Sequence, residues 1–191
     1  MQIIKGEVIP VELKLNNPVG MVGFPEITSV TAVFIRLLTR QGQTAWGCTV
    51  AEPSLGEKKT SELIRVCKDC ASQVADLNPL NLELALAELS ITAKNAPKAL
   101  CAFDLALYDL LGLSAGLPLY RLLGGYRNRI MTSITIPLAS RSETVEISRI
   151  HARHGFRILK LKGGIDPDLD VQRVQAVHRA LPEHTLRLDA D

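Results

Sequence analysis

The sequence is poor in aromatic residues, 4% of its 191 positions, and so lacks the stacking platforms on which single-stranded nucleic acids bind. It also lacks a dominant charge. The formal net charge is +2 with both signs interspersed, so no basic stripe awaits a phosphate backbone and no polybasic surface awaits a membrane. No apolar run reaches transmembrane length. Cysteine is scarce and scattered. Of Cys48, Cys67, Cys70 and Cys101, the middle two form a C-x-x-C inside a helical pattern with no second pair at zinc spacing, which reads as core thiols. Met1-Gln2-Ile3-Ile4-Lys5 opens as a strand and not as the charged start of a secretory signal, so a reduced cytoplasmic location is expected. The rest is ordinary globular composition, 47% hydrophobic and 22% charged, enough for one good core or two small ones.

Residues 2–16, 29–39 and 43–52 carry strand-like patterns, the last two joined by a turn at Arg40-Gln41-Gly42. Three early strands in order predict an antiparallel meander. Between the first two lies a Gly- and Pro-rich loop containing Val19, Gly20, Met21, Val22 and Phe24. It reads equally as a loop tucked onto its own domain or as a mobile lid over a ligand. Helices follow at 60–76, at 82–94 with Asn81 as N-cap, and from Pro97 to Leu113. The third is apolar nearly all round and should be buried on most sides. Its acids, Asp104 and Asp109, read as buried structural groups partnered by helix N-termini or an arginine. Pro118 to Gly125 makes a short helical turn closed by glycines.

From residue 130 the pattern becomes strand, helix, strand, helix, strand: 130–136, a capped helix to His154, 157–162, a helix opened by Asp166-Pro167, and 185–190. Val171, Val174, Val177 and Leu181 line the second helix. This alternation predicts βαβ units and a parallel sheet. Period-two reading separates two faces. One carries Ile130, Thr132, Ile134, Ile136, Leu159, Leu161, Leu186, Leu188 and Ala190; the other carries Ser133, Thr135, Lys160, Lys162, Arg187, Asp189 and Asp191. A doubly wound sheet should be apolar on both faces. Polar groups inside, gathered at the strand C-termini, fit a (β/α)₈ barrel active site.

Alone, Lys160-Leu161-Lys162 would read as a solvated edge. Beside Asp189 it makes chemical sense. A carboxylate can hold a hard divalent cation together with substrate oxygens. A lysine is a base only when neutral, and a second cation and a metal nearby both disfavour its charged form.

The chain resembles the N-terminal half of an enolase-superfamily enzyme, of the mandelate racemase/muconate lactonising enzyme family and its dipeptide epimerase branch. The matching stretches are the meander with its loop, Ala102-Phe103-Asp104-Leu105-Ala106-Leu107-Tyr108-Asp109-Leu110, Gly116 to Gly125, Lys160-Leu161-Lys162, and Leu186-Arg187-Leu188-Asp189-Ala190. The resemblance implies an α+β capping domain over 1–125 and, over 126–191, the first three or so of eight strands of a TIM-type barrel. It implies a Mg²⁺-dependent isomerase, with Mn²⁺ as an alternative ion, that abstracts a proton next to the carboxylate of a small-molecule substrate through an enediolate. Lys162 would be the acid/base and Lys160 its electrostatic tuner against the substrate carboxylate. Asp189 would be the first metal ligand, with Thr135 and the loop 19–24 lining the substrate pocket.

Two departures matter. The family usually has asparagine where Asp191 stands; the extra carboxylate either tightens metal binding, which makes Asp191 a further metal-ligand candidate, or reflects local variation. A whole barrel needs ~250 residues, so the family's other metal ligands and opposing lysine would lie on strands beyond this sequence. The expectation is a piece of a longer epimerase or cycloisomerase, inactive as 191 residues alone and open to homo-oligomerisation. The alternatives are an acid-sugar dehydratase or an o-succinylbenzoate synthase on the same fold, or an incomplete fragment acting as a binding protein.

Overall fold

Strand β2, Ile27–Thr39, is the spine of the N-terminal part. Its odd positions Val33, Ile35 and Leu37 are fully buried, as period-two alternation on a one-sided sheet requires. The computed structural model describes residues 1–19, 27–51 and 56–190, and it holds two compact units. In the first, strands β1 (Ile3–Val19, within this unit as far as Asn16), β2 and β3 (Thr44–Val50) lie in sequential order. Strands β2 and β3 pair antiparallel, from Ala32 opposite Val50 to Leu38 opposite Thr44. Gly42, at φ 81°, supplies the turn between them.

Helices α1 (Gly56–Ala71), α2 (Leu82–Thr92), α3 (Pro97–Ala115) and α4 (Leu119–Leu122) complete this unit. Helix α3 begins with proline in its first turn and ends on Gly116 in the left-handed conformation. It turns Ala99, Ala102, Phe103, Ala106, Leu107 and Leu110 into the core. The small residues let it approach the sheet. A Cβ at Gly47 on β3 would overlap the backbone of Ala102, so only glycine fits there.

Several expectations for this unit need correction. The predicted helix over 60–76 is helix α1 followed by a separate 3₁₀ turn, Val74–Asp76. Ser72 Oγ donates to the Asp69 carbonyl, the kind of local bond that competes with helix continuation. Asn81 precedes α2 but makes no capping bond through its side chain; Asn78 Oδ1 instead accepts from the Leu80 N–H in the preceding turn. Asp104 and Asp109 are half-buried. Asp109 accepts the Trp46 N–H at 2.8 Å, a strand amide where an arginine or helix end was expected. As expected, helix α3 is buried or half-buried on most sides between residues 99 and 112, with an exposed strip at Cys101 and Leu105.

The second unit holds β4 (Ser133–Ile136), α5 (Arg141–Arg153), β5 (Ile158–Lys162), α6 (Pro167–Ala180) and β6 (Thr185–Asp189). The strands form one parallel sheet in the order β4-β5-β6. Both helices start where side chains cap them. Ser140 and Glu143 form a reciprocal capping box on α5, and Asp166 accepts the N–H groups of Asp168 and Leu169 on α6. Ile136, Leu159, Leu161 and Val177 are fully buried between sheet and helices. Each contributes on the order of 2 kcal/mol of burial. Ile130 and Thr132 precede β4 and are exposed, and Leu188 and Val171 are exposed as well, against the apolar faces expected for them.

Candidate active site at the C-terminal end of the parallel sheet

Strand β5 points its side chains alternately. Leu159 and Leu161 are fully buried, which forces Lys160 and Lys162 onto the opposite face. The parallel register sets Thr135 beside Lys160, Lys160 beside Arg187, and Lys162 beside Asp189. One carboxylate oxygen, Asp189 Oδ2, lies 2.5 Å from Lys160 Nζ and 3.2 Å from Lys162 Nζ. Lys162 is the more enclosed lysine, its side chain 18% exposed against 34% for Lys160. The arrangement is a carboxylate flanked by two cations at the strand ends, where barrel enzymes place their chemistry.

Behind this face lies a group of residues that sequence reasoning missed. Arg173 on α6 is buried, at 1% exposure. Its Nη1 donates to the Lys162 carbonyl at 2.7 Å and to Asp170 Oδ1 at 3.0 Å, its Nη2 to the Pro137 carbonyl at 2.9 Å, and its Nε to Thr144 Oγ1 at 2.9 Å. Asp170 Oδ2 accepts the Gly164 N–H at 2.7 Å, and the Gly163 N–H donates to the Asp189 carbonyl at 2.9 Å. A signal was available. Asp170 and Arg173 share the helical stripe of Val174, Val177 and Leu181, and charges inside an apolar stripe need partners.

The candidate residues divide plainly. Lys160, Lys162 and Asp189 come together, and Thr135 stands exposed next to Lys160 in register. Val19 ends β1; its side chain, the loop residues Gly20, Met21, Val22 and Phe24, and Asp191 lie outside the described residues. A cavity of about 240 Å³ lined by Met131, Thr132, His154, Gly155, Phe156 and Arg157 lies at the opposite, N-terminal ends of β4 and β5 and touches none of the candidates.

A divalent cation can be tested against these groups. Asp189 offers a hard carboxylate oxygen, the donor type that Mg²⁺ takes, and the ion would compete for it with the two ammonium groups that hold Oδ2. Among the described residues no three His, Cys, Asp or Glu side chains gather around one point. The described chain therefore fits such an ion as the source of one ligand.

Comparison with known proteins places the chain. Residues 4–124 match the family described as mandelate racemase / muconate lactonizing enzyme, N-terminal domain, and the chain belongs to that family, within the enolase superfamily. It is 32% identical over 172 residues to a hydrophobic dipeptide epimerase of Enterococcus faecalis, covering 86% of this chain and 47% of that protein. It is also 32% identical over 168 residues to an L-Ala-D/L-Glu epimerase of Clostridium acetobutylicum, again covering 86% of this chain and 47% of the relative. A crystal structure of the dipeptide epimerase from Enterococcus faecalis, complexed with Mg and the dipeptide L-Leu-L-Tyr, superposes with a TM-score of 0.92 at 30% identity over 100% of this chain and 54% of that one. The chain thus spans about half the length of the relatives it matches. The fold is the α+β domain of this superfamily followed by three parallel strands of its barrel, which is incomplete within these residues.

Proposed function

We propose that this chain supplies one half of the active site of a dipeptide epimerase, with Lys162 as the acid/base and Asp189 as a metal ligand. The observation that carries the reading is the convergence of both ammonium groups on Asp189 Oδ2, at 2.5 and 3.2 Å, at the C-terminal edge of the parallel sheet. The epimerase relatives, at about 30% identity, support the substrate class.

In this reading the neutral amine of Lys162 accepts the proton from the α-carbon next to the substrate carboxylate, and the C–H electron pair stays on the substrate. Lys160, one strand position pair away on the same face, holds the carboxylate electrostatically and disfavours a second ammonium at Lys162. Asp189, with other donors, would hold Mg²⁺, which would supply positive charge to the substrate carboxylate. Asp191 is a second candidate donor. Return of the proton to the opposite face, which inverts the centre, needs an acid across the substrate plane that the described strands do not carry. Residues 1–191 alone are therefore proposed to be inactive. Thr135 and the loop 19–24 are proposed to line the substrate pocket. All four cysteines are free, which supports a cytoplasmic location.

The test is incubation of the protein that carries this chain with a dipeptide panel in D₂O, with Mg²⁺ and with chelator. Deuterium should enter one α-position and epimer should accumulate only with the metal. Dehydrated or cyclised product without epimer would overturn the reading in favour of another reaction.

A further inference from the structure

We propose that Arg173 is a positioning residue for the acid/base, aiming Lys162 by holding the backbone at which its side chain begins. The proposal rests on the reading of Lys162 as the base.

Arg173 spends four donor directions on four parts of the unit. It ties the carbonyl of Lys162, the last residue of β5, to that of Pro137, just past β4. It also ties them to Thr144 in the first turn of α5 and to Asp170 in the first turn of α6. Asp170 passes the constraint on through the Gly164 N–H, and the Asp189 carbonyl holds the Gly163 N–H. The three residues from Lys162 to Gly164 are therefore held on both sides, by charge-assisted bonds from the Arg173 and Asp170 side and by a backbone bond from the β6 side. The glycines are part of the device. A Cβ at Gly163 would overlap the Asp170 carboxylate, and one at Gly164 would overlap the Ala190 carbonyl.

Stability alone is a weak reason for this arrangement. A buried ion pair usually contributes no more than apolar residues of the same volume would. Directional control is what an apolar replacement cannot supply. The buried guanidinium holds Lys162 at its main-chain carbonyl, away from the Nζ that meets Asp189.

The experiment uses the protein that carries this chain, with whichever of L-Leu-L-Tyr and L-Ala-L-Glu it exchanges faster in D₂O. Arg173→Met removes every donor at similar length. Arg173→Lys keeps the charge and a donor. Val177→Ala, a core truncation on the same helix, is the control for general loosening. Arg173→Met should lower kcat about 10- to 100-fold, the penalty of a misplaced catalytic group, with KM within about threefold. Arg173→Lys should recover part of the loss, and Val177→Ala should keep kcat near the parent value at equal or greater loss of Tm. Amide exchange at Gly164 should accelerate in Arg173→Met and not in Val177→Ala.

An Arg173→Met protein that folds with parental kcat overturns the proposal, as does a Val177→Ala protein that loses kcat equally. Should Arg173→Met fail to fold, Thr144→Val, which removes only the Nε acceptor, should show a smaller fall in kcat of the same kind, and unchanged kcat there overturns the proposal. A separate arm tests the premise: if Lys162→Ala still exchanges, or the parent exchanges neither dipeptide, the reading of Lys162 as base has failed and the positioning role falls with it.

Discussion

Lys162 and Asp189 are directly paired in register across β5 and β6, and their side chains meet at 3.2 Å on the polar face of the sheet. The pairing is non-local, 27 residues apart in sequence (189 − 162), and depends on a parallel register that places both residues at strand ends. A shift of one residue would turn one of them to the apolar side.

Lys162→Ala should abolish α-proton exchange, with a loss of at least 10²- to 10⁴-fold, the usual worth of a positioned acid/base. Asp189→Asn should weaken Mg²⁺ binding while leaving the fold intact. Calorimetric titration with Mg²⁺ and deuterium incorporation followed by mass spectrometry check the two outcomes.

Gly164→Ala should destabilise the second unit. Gly164 sits at φ 103°, where a side chain is strained, and its Cβ would meet the Ala190 carbonyl. The cost should be at least ~1–3 kcal/mol. Denaturant unfolding monitored by circular dichroism measures it.

The capping box of α5 should give an acid-dependent share of stability. Hydrogen bonds from the Ser140 hydroxyl, and then from its backbone N–H, hold the Glu143 carboxyl below its ordinary value of 4.5. A carboxyl lowered on folding contributes its full share above its unfolded value, and that share fades as pH falls through the lowered folded value. Ser140→Ala should therefore shallow the loss of stability below about pH 4.5. At neutral pH it should cost about 1 kcal/mol as a lost N-cap. Thermal unfolding from pH 3 to pH 7 reads both effects.

Cys67 and Cys70 should resist alkylation in the native protein. Burial pushes Cys67 to about 12, with Cys70 adding to the rise, and pushes Cys70 to about 11, with Asp69 adding there. Thiolate is the reactive form, so both thiols are inert at pH 8. Iodoacetamide should label the exposed Cys101 first and these two only after unfolding.

Much of this molecule is legible in its sequence. Strands with period-two burial, the Ser140-x-x-Glu143 box, the Asp166-Pro167 start and the glycine stops are local signals, and local backbone chemistry enforces them. Lys160 and Lys162 were readable because leucines between and before them left the lysines one face. The start of β4 was not, because Ile130 and Met131 look like strand residues yet stand exposed before it. Asn81 failed as a cap because Asn78 makes the turn three residues earlier.

Two lysines on one strand face and an aspartate ending another strand, the residues proposed to carry the chemistry, are already set by the order of amino acids. That one carboxylate oxygen faces both ammonium groups, and that Arg173 is buried, follows from the packing of strands and helices. Local pattern sets which way a side chain leaves its own strand or helix. Sheet register and helix docking set what it meets, and those depend on contacts between residues far apart in the chain. In the sequence Asp170 and Arg173 show only as charges within an apolar stripe; packing removes the water around them and gives each Arg173 donor a carbonyl, hydroxyl or carboxylate to hold.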